Sequence, residues 1–194
     1  MPKRTLILAS SSPFRRELLQ RLQLPFQVFA PDIDEQPFAH ETPPALVERL
    51  ARSKARAIAR LHPDALVIGS DQVAVQDGHI VGKPGDHASA VRQLREASGR
   101  RVVLHTGLAL VDAASGRSQC EVVPFAAVFR HLDDEDIERY LRAEKPYNCA
   151  GSLKSEGLGI ALLERFEGDD PTALIGLPLI TLCRMLAKEG LRIP

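Results

Sequence analysis

Cysteine is scarce in this sequence, and its scarcity excludes several classes of protein. The 194 residues contain three cysteines, Cys120, Cys149 and Cys183, which are widely spaced and odd in number. Such a set is poor material for a disulfide framework or a cysteine zinc site, and it is typical of a reducing compartment. The six histidines show no metal-ligand spacing, and no cysteine has a neighbour that would activate its thiol.

The chain also has no net charge and no long apolar run. The 25 lysines and arginines equal the 25 aspartates and glutamates, so the chain has no basic footprint for nucleic acid polymers and no field favouring acidic membranes. No stretch approaches the roughly 18 apolar residues of a membrane span, and the first apolar run is too short for a signal peptide. We therefore expect a cytoplasmic protein without a nucleic acid or membrane partner.

The pattern of apolar and polar residues predicts a mixed α/β fold, with crossover helices early in the chain and antiparallel strands later. No repeat or polar linker divides the chain, so we expect a single domain over 1–194. Strands are predicted at 5–9, 26–30, 65–71 and 158–164, and hairpins at 72–84 (turning at Asp77-Gly78) and 101–131 (turning at Ser115-Gly116). Helices are predicted at 13–23, 42–61, 87–99, 133–143 and 178–188.

The stretch LILASSSPFRRELL, residues 6–19, crowds three serines, a proline and two arginines between a predicted strand and a predicted helix. Ser12 is the expected N-cap and Pro13 the first helical residue. Because backbone N–H groups at a helix N-terminus attract anions, this joint predicts a local anion site.

Lys54 interrupts the apolar stripe of the helix predicted at 42–61. Its side chain either snorkels at the edge of the core or points into a pocket, and helix position alone favours snorkelling. The acidic residues described next favour the pocket. The arginines of this helix fall on other faces and are interpreted as solvated charges: Arg49, Arg52, Arg56 and Arg60.

Two acidic sites follow predicted strands. Asp71 ends the apolar run ALVIGSD, and Asp34-Glu35 follows the strand at 26–30. A turn or capping role is the ordinary alternative for Asp71, but two acidic strand ends with an inward lysine suit a divalent cation such as Mg²⁺ or Mn²⁺. Lys83, in a tight Gly-Pro turn, is either a second cation of that site or a solvated surface lysine.

No G-x-S-x-G elbow, Walker A loop or H-E-x-x-H motif occurs in the chain. Once these motifs are excluded, phosphate chemistry carried out by a metal ion, carboxylates and basic side chains remains. In such chemistry one carboxylate can activate water.

At least seven separated motifs carry a resemblance to a known family: SSSPFRRELL, PDIDE, ARSKA, IGSDQV, GKP, HTGLAL and CAGSLKSEGLGI. In this order they resemble the Maf family of nucleoside triphosphate pyrophosphatases, over essentially the whole chain. IGSDQV and AGSLKSEG are similar to the branch that hydrolyses 7-methyl-GTP. The sister branch, acting on dTTP and UTP, typically has a threonine after the catalytic aspartate and a glutamine at position 156.

The resemblance implies two α/β lobes flanking a central cleft, similar to inosine triphosphatases, and hydrolysis to a monophosphate and pyrophosphate with Mg²⁺, Mn²⁺ or Co²⁺. Asp71 would be the general base and, with Glu35, a metal ligand. The residues expected to hold the triphosphate are Ser10, Ser12, Arg15, Lys54 and Lys83. The residues expected to set the base preference are Phe14, Gln72 and Glu156. The resemblance is compatible with a homodimer, for which the sequence indicates no interface.

The assignment of the base has a physical rationale, since N7-methylation makes guanine cationic. Glu156 could accept hydrogen bonds from the ring edge while balancing that charge, and Phe14 could lie against the cationic face. Without the resemblance, a solvated carboxylate and a core aromatic would be the preferred interpretations of these two residues. Two other functions stay open: a pyrophosphatase of dTTP and UTP, and a nucleotide-binding regulator of septum formation that does not hydrolyse its ligand.

Overall fold

The computed structural model describes residues 4–193, so the domain predicted over 1–194 extends beyond the described residues at both ends. The strands are β1 (Thr5–Ala9), β2 (Phe26–Phe29), β3 (Ala65–Gln76), β4 (His79–Val81), β5 (Arg101–Asp112), β6 (Ser118–Phe129) and β7 (Leu163–Glu167). The α-helices are α1 (Pro13–Gln20), α2 (Pro43–Ala59), α3 (His87–Ala97), α4 (Asp134–Glu144), α5 (Pro171–Ile175) and α6 (Leu179–Lys188). Two short 3₁₀ segments, Ala150–Ser152 and Leu158–Leu162, lie between α4 and β7.

The strands join one mixed sheet in the order β2-β1-β3-β5-β6-β7, with β4 paired to the end of β3. β1 runs parallel to both β2 and β3, while β3, β5, β6 and β7 pair antiparallel. Parallel neighbours need a crossover connection, and α1 and α2 provide it. The predicted change from crossovers to antiparallel pairing is therefore confirmed, as is the α/β class.

Local signals set the starts of the first two helices and the hairpin turns. The Ser12 hydroxyl accepts from the backbone N of Arg15, and Thr42 accepts from Ala45, each at 3.4 Å ahead of a proline in the first turn. Asp77 and Gly78 both have positive φ, as the tight turn between β3 and β4 requires. These predicted boundaries are confirmed.

Alternate residues of β1 face different parts of the core. Leu6 and Leu8 pack with α1 and α6, whereas Ile7 and Ala9 pack under α2. A third apolar cluster fills the antiparallel end of the sheet beneath α3 and α4. The strands near the middle of the sheet are thus covered on both faces, which explains their continuous apolar runs.

Gly69 on β3 and Gly107 on β5 let α2 lie very close to the sheet. A Cβ on Gly69 would overlap the carbonyl oxygen of Ala51, and one on Gly107 would overlap that of Val47. Gly107 also pairs directly with Asp71 in the sheet. Because neither glycine has a side chain, α2 can pack directly against β3 and β5 and lie close to Asp71.

Three predicted boundaries are wrong. The helix predicted at 13–23 ends at Gln20, and the strand predicted at 158–164 is a 3₁₀ segment followed by β7. β3 does not stop at Asp71 but continues to Gln76, so that Asp71 lies inside a strand. α5 was not predicted at all, because five residues are too few to show helical periodicity. None of the helices within residues 4–193 combines the length and the hydropathy of a membrane span.

Candidate active site

A cleft of about 720 Å³ opens at the joint between β1 and α1. Every residue given a site role by the sequence lies on its wall: Ser10, Ser12, Phe14, Arg15, Glu35, Lys54, Asp71, Gln72, Lys83 and Glu156. They come from six separate parts of the chain, which the parallel crossovers and the 3₁₀ region bring together. The structure thus brings these residues to one cleft, and their roles stay predictions that are taken up under the proposed function.

Lys54 points into the cleft rather than snorkelling to the surface. Its Nζ lies 2.6 Å from Oδ1 of Asp71 and 3.0 Å from Oε1 of Glu35. Lys54 is 6% exposed and Asp71 8% exposed, so each charge is buried and balanced by the other. Asp71 caps no helix or turn, which removes the ordinary alternative for this residue.

The carboxylates in the cleft fit a metal site that has few protein ligands. Within residues 4–193, no group of three or more histidine, cysteine, aspartate or glutamate side chains could cage a metal ion. Mg²⁺ is usually held by one or two carboxylates, with water and substrate phosphates filling the other positions. Glu35 and Asp71, both within reach of one ammonium group, match this sparse donor set.

The serine loop forms an internal hydrogen-bonded turn at the start of α1. The backbone N of Ser12 donates to the buried hydroxyl of Ser10 at 3.1 Å, while the Ser12 hydroxyl caps α1. Arg15, in the first turn of that helix, donates through Nε to the carbonyl oxygen of Gly176 at 2.9 Å. Burial lowers the pKa of Arg15, and the charges of Asp71 and Glu35 oppose that shift.

The segment that follows α5 provides the anchor for Arg15. Gly176 has φ 120°, and its carbonyl also accepts from the buried Ser70 hydroxyl at 2.9 Å. One turn earlier, the Ala173 carbonyl accepts from the Thr106 hydroxyl at 2.8 Å. Polar side chains of β3 and β5 therefore hold α5 and the residue that follows it, and no local pattern predicts these contacts.

The three residues expected to set the base preference differ in how firmly the protein holds them. Phe14 is half-buried beside the serine loop. The side-chain nitrogen of Gln72 donates to Thr106 Oγ1 at 2.9 Å and to the Ala173 carbonyl at 2.6 Å, which leaves the amide oxygen as its polar group for a ligand. Glu156 is exposed, and within residues 4–193 neither it nor the exposed Lys83 forms a salt bridge.

Arg49 departs from its predicted role as a solvated charge. Its guanidinium contacts the segment that carries Glu35, whereas Arg52 forms a salt bridge with Glu48 of its own helix. The helical pattern could not separate these arginines, because the partners of Arg49 lie in an irregular segment whose path it does not predict.

The Maf-like protein family matches residues 5–189. The chain belongs to the Maf-like family. It is 58% identical to a protein of Pseudomonas aeruginosa over 97% of this chain and 98% of that relative, and 56% identical to one of Aromatoleum aromaticum over 97% of both. A relative from Polaromonas is 58% identical over 96% of this chain and 85% of its own length. Each of these three Maf-like relatives is named a 7-methyl-GTP pyrophosphatase.

Proposed function

We propose that this Maf-like protein hydrolyses 7-methyl-GTP to 7-methyl-GMP and pyrophosphate, and so removes a modified nucleotide. The observation that carries the proposal is the buried Lys54–Asp71 pair, with Glu35 beside it, in a cleft that also holds Phe14 and Glu156. The names of relatives that are 54–58% identical over nearly the whole chain support the choice of substrate.

Asp71 is the proposed general base. Lys54 donates to Oδ1 of the carboxylate and so orients it in the cleft. The second carboxylate oxygen would accept the proton of an attacking water. Water adds to the α phosphorus, the anhydride bond between the α and β phosphates breaks, and pyrophosphate leaves with the bonding electrons. Arg15 and Lys83 would balance the charge that develops on the leaving group.

Glu35 and Asp71 would hold a divalent cation, Mg²⁺, Mn²⁺ or Co²⁺, which would neutralise phosphate charge when bound. Ser10 and Ser12 place their hydroxyls at the N-terminus of α1, where each oxygen accepts a backbone N–H of the loop and each O–H could donate to a phosphate oxygen. The three cysteines of the described residues are unpaired, which supports the cytoplasm as the site of action. The homodimer stays a prediction.

The base preference rests on the positive charge of 7-methylguanine. Glu156 would accept hydrogen bonds from the purine edge and balance the charge, and Phe14 would contact the ring face, a contact worth about 0.5–2 kcal/mol. A neutral guanine would donate the same hydrogen bonds but would carry no positive charge for Glu156 to balance.

The test is a nucleotide panel assayed for pyrophosphate release with added Mg²⁺, Mn²⁺ or Co²⁺, using the intact chain. We expect 7-methyl-GTP to give the highest kcat/KM. A preference for dTTP or UTP would instead support the pyrimidine alternative, and tight binding without any product would support a nucleotide-binding regulator.

A further inference from the structure

Glu35 lies on the least regular part of the cleft wall. It belongs to the segment 30–42 between β2 and α2, which contains no helix or strand and is mostly exposed. The Glu35 side chain is itself 56% exposed, yet its carboxylate lies 3.0 Å from the buried Lys54 ammonium. A single ion pair at the edge of solvent is too weak to order such a segment, so other contacts must hold it.

Arg49 supplies those contacts from the second turn of α2. Its Nη2 donates to the carbonyl oxygen of Gln36 at 2.9 Å, one residue after Glu35. Its Nε and Nη2 also bind the two carboxylate oxygens of Glu41, at 2.6 and 2.8 Å, and its guanidinium carbon lies 4.0 Å from the centre of the Phe38 ring. One side chain therefore contacts the segment at three separate residues.

Glu41 reinforces this arrangement from within the segment. Its Oε2 also accepts from the backbone N of Phe38 at 3.0 Å, and its side chain is 8% exposed. The hydrogen bond from Arg49 lowers the pKa of Glu41 to about 2, and the same bond raises the pKa of Arg49. The pair is thus fully charged at neutral pH, and the planar guanidinium fork fixes its geometry.

We propose that Arg49 is the positioning residue for Glu35: by binding the Gln36 carbonyl, Glu41 and the Phe38 ring, it holds the segment 30–42 so that the Glu35 carboxylate faces Lys54 and Asp71. The role of Glu35 as a metal ligand rests on the proposed function, whereas its placement by Arg49 does not. Arg52 is the natural comparison, since it has the same charge on the same helix but, within residues 4–193, forms its salt bridge with Glu48 of that helix.

The order of the segment can be measured without turnover. The sequence contains no tryptophan, so Phe38→Trp places a single tryptophan on the segment, and it can be excited selectively over the two tyrosines. In this background we expect Arg49→Ala and Arg49→Lys each to raise the bimolecular rate constant of acrylamide quenching at least two-fold. Arg52→Ala should leave it unchanged. Equal quenching in Arg49→Ala and its parent would overturn the proposal.

A double-mutant cycle tests whether Arg49 acts through Glu35. We expect Arg49→Ala to lower kcat about ten-fold with a smaller change in KM for the nucleotide, and to cost less than two-fold when Glu35→Gln is already present. Arg49→Lys should not rescue kcat, because it retains the charge and loses the fork. Equal costs in the two backgrounds would show that Arg49 acts elsewhere.

The same cycle is run on Mn²⁺ affinity, measured from the free-ion electron paramagnetic resonance signal. We expect Arg49→Ala to weaken Mn²⁺ binding in the parent and to have no further effect in Glu35→Gln, with Arg52→Ala within two-fold of the parent. An additive cycle overturns the positioning role. If the parent releases no pyrophosphate from any nucleotide, the proposed function fails, while the quenching and Mn²⁺ measurements still decide the role of Arg49.

Discussion

Two groups of residues in the cleft differ in how far the protein itself holds them. Ser10, Lys54 and Asp71 form a buried group, each less than 9% exposed and bonded to another residue of the site or its supporting loop. Lys83 and Glu156 form an exposed group without salt bridges in the part of the chain that the structure describes. The buried group is held by the protein alone, which suits its proposed role in activating water, whereas the exposed group would be ordered by the proposed substrate.

The largest expected effect is the loss of the proposed base. Asp71→Asn keeps the size of the side chain and removes the proton acceptor, so we expect kcat for pyrophosphate release to fall about 10³-fold. The measurement is turnover at saturating nucleotide and metal, with circular dichroism to confirm the fold. Turnover within ten-fold of the parent would show that another group activates water.

The buried group should also contribute to stability, in contrast to the exposed group. Lys54→Met leaves the Asp71 carboxylate buried without a partner, so we expect the free energy of unfolding to fall by about 3 kcal/mol. Adding Asp71→Asn removes that charge and should recover about 1 kcal/mol or more.

Lys83→Met is the matched control for this prediction, because it removes the same group from an exposed position. We expect it to change the free energy of unfolding by less than about 0.5 kcal/mol in urea titrations. A similar loss in both lysine variants would remove the distinction between the two groups.

Substrate choice should depend on the exposed group. Glu156→Gln keeps hydrogen bonding but loses the negative charge, so we expect the preference for 7-methyl-GTP over GTP to fall about ten-fold, or about 1.4 kcal/mol. Thermal unfolding should not change, since the side chain is exposed. The ratio of kcat/KM values for the two nucleotides is the measurement, and an unchanged ratio would assign selectivity to other residues.

The smallest expected effect concerns the support of Arg15. Ser70→Ala removes one of the two donors to the Gly176 carbonyl, so we expect kcat/KM to fall about five-fold, or about 1 kcal/mol. Ser98→Ala, which removes a hydroxyl bonded to the Leu132 backbone and outside the cleft wall, is the control. Equal losses in the two variants would reduce the Ser70 effect to general stability.

Features with a signal in neighbouring residues could be predicted from the sequence, whereas features that depend on long-range contacts could not. Lys54 stood out because it interrupts an apolar stripe, a signal within one helix. Arg49 did not, because its partners, Gln36 and Glu41, are reached only once the irregular segment folds back on α2. The strand register that places Gly107 opposite Asp71 also has no local signal, and neither does α5.

The motif resemblance supplied what the patterns could not. It indicated that Phe14 and Glu156 belong to the cleft, although the residues alone favoured a core aromatic and a solvated carboxylate. The structure places both on the cleft wall, together with residues from the other motifs.

The close packing of α2 against Gly69 and Gly107 has a consequence for mutation at these two positions. These positions offer no functional group to a ligand, yet a single added methyl at either would lift the helix and separate the Lys54 ammonium from the Asp71 carboxylate. Two residues without a functional group therefore help to determine whether the Lys54–Asp71 pair can form. A search for activity-altering changes in this protein should begin at these two glycines as well as at the charged residues they bring together.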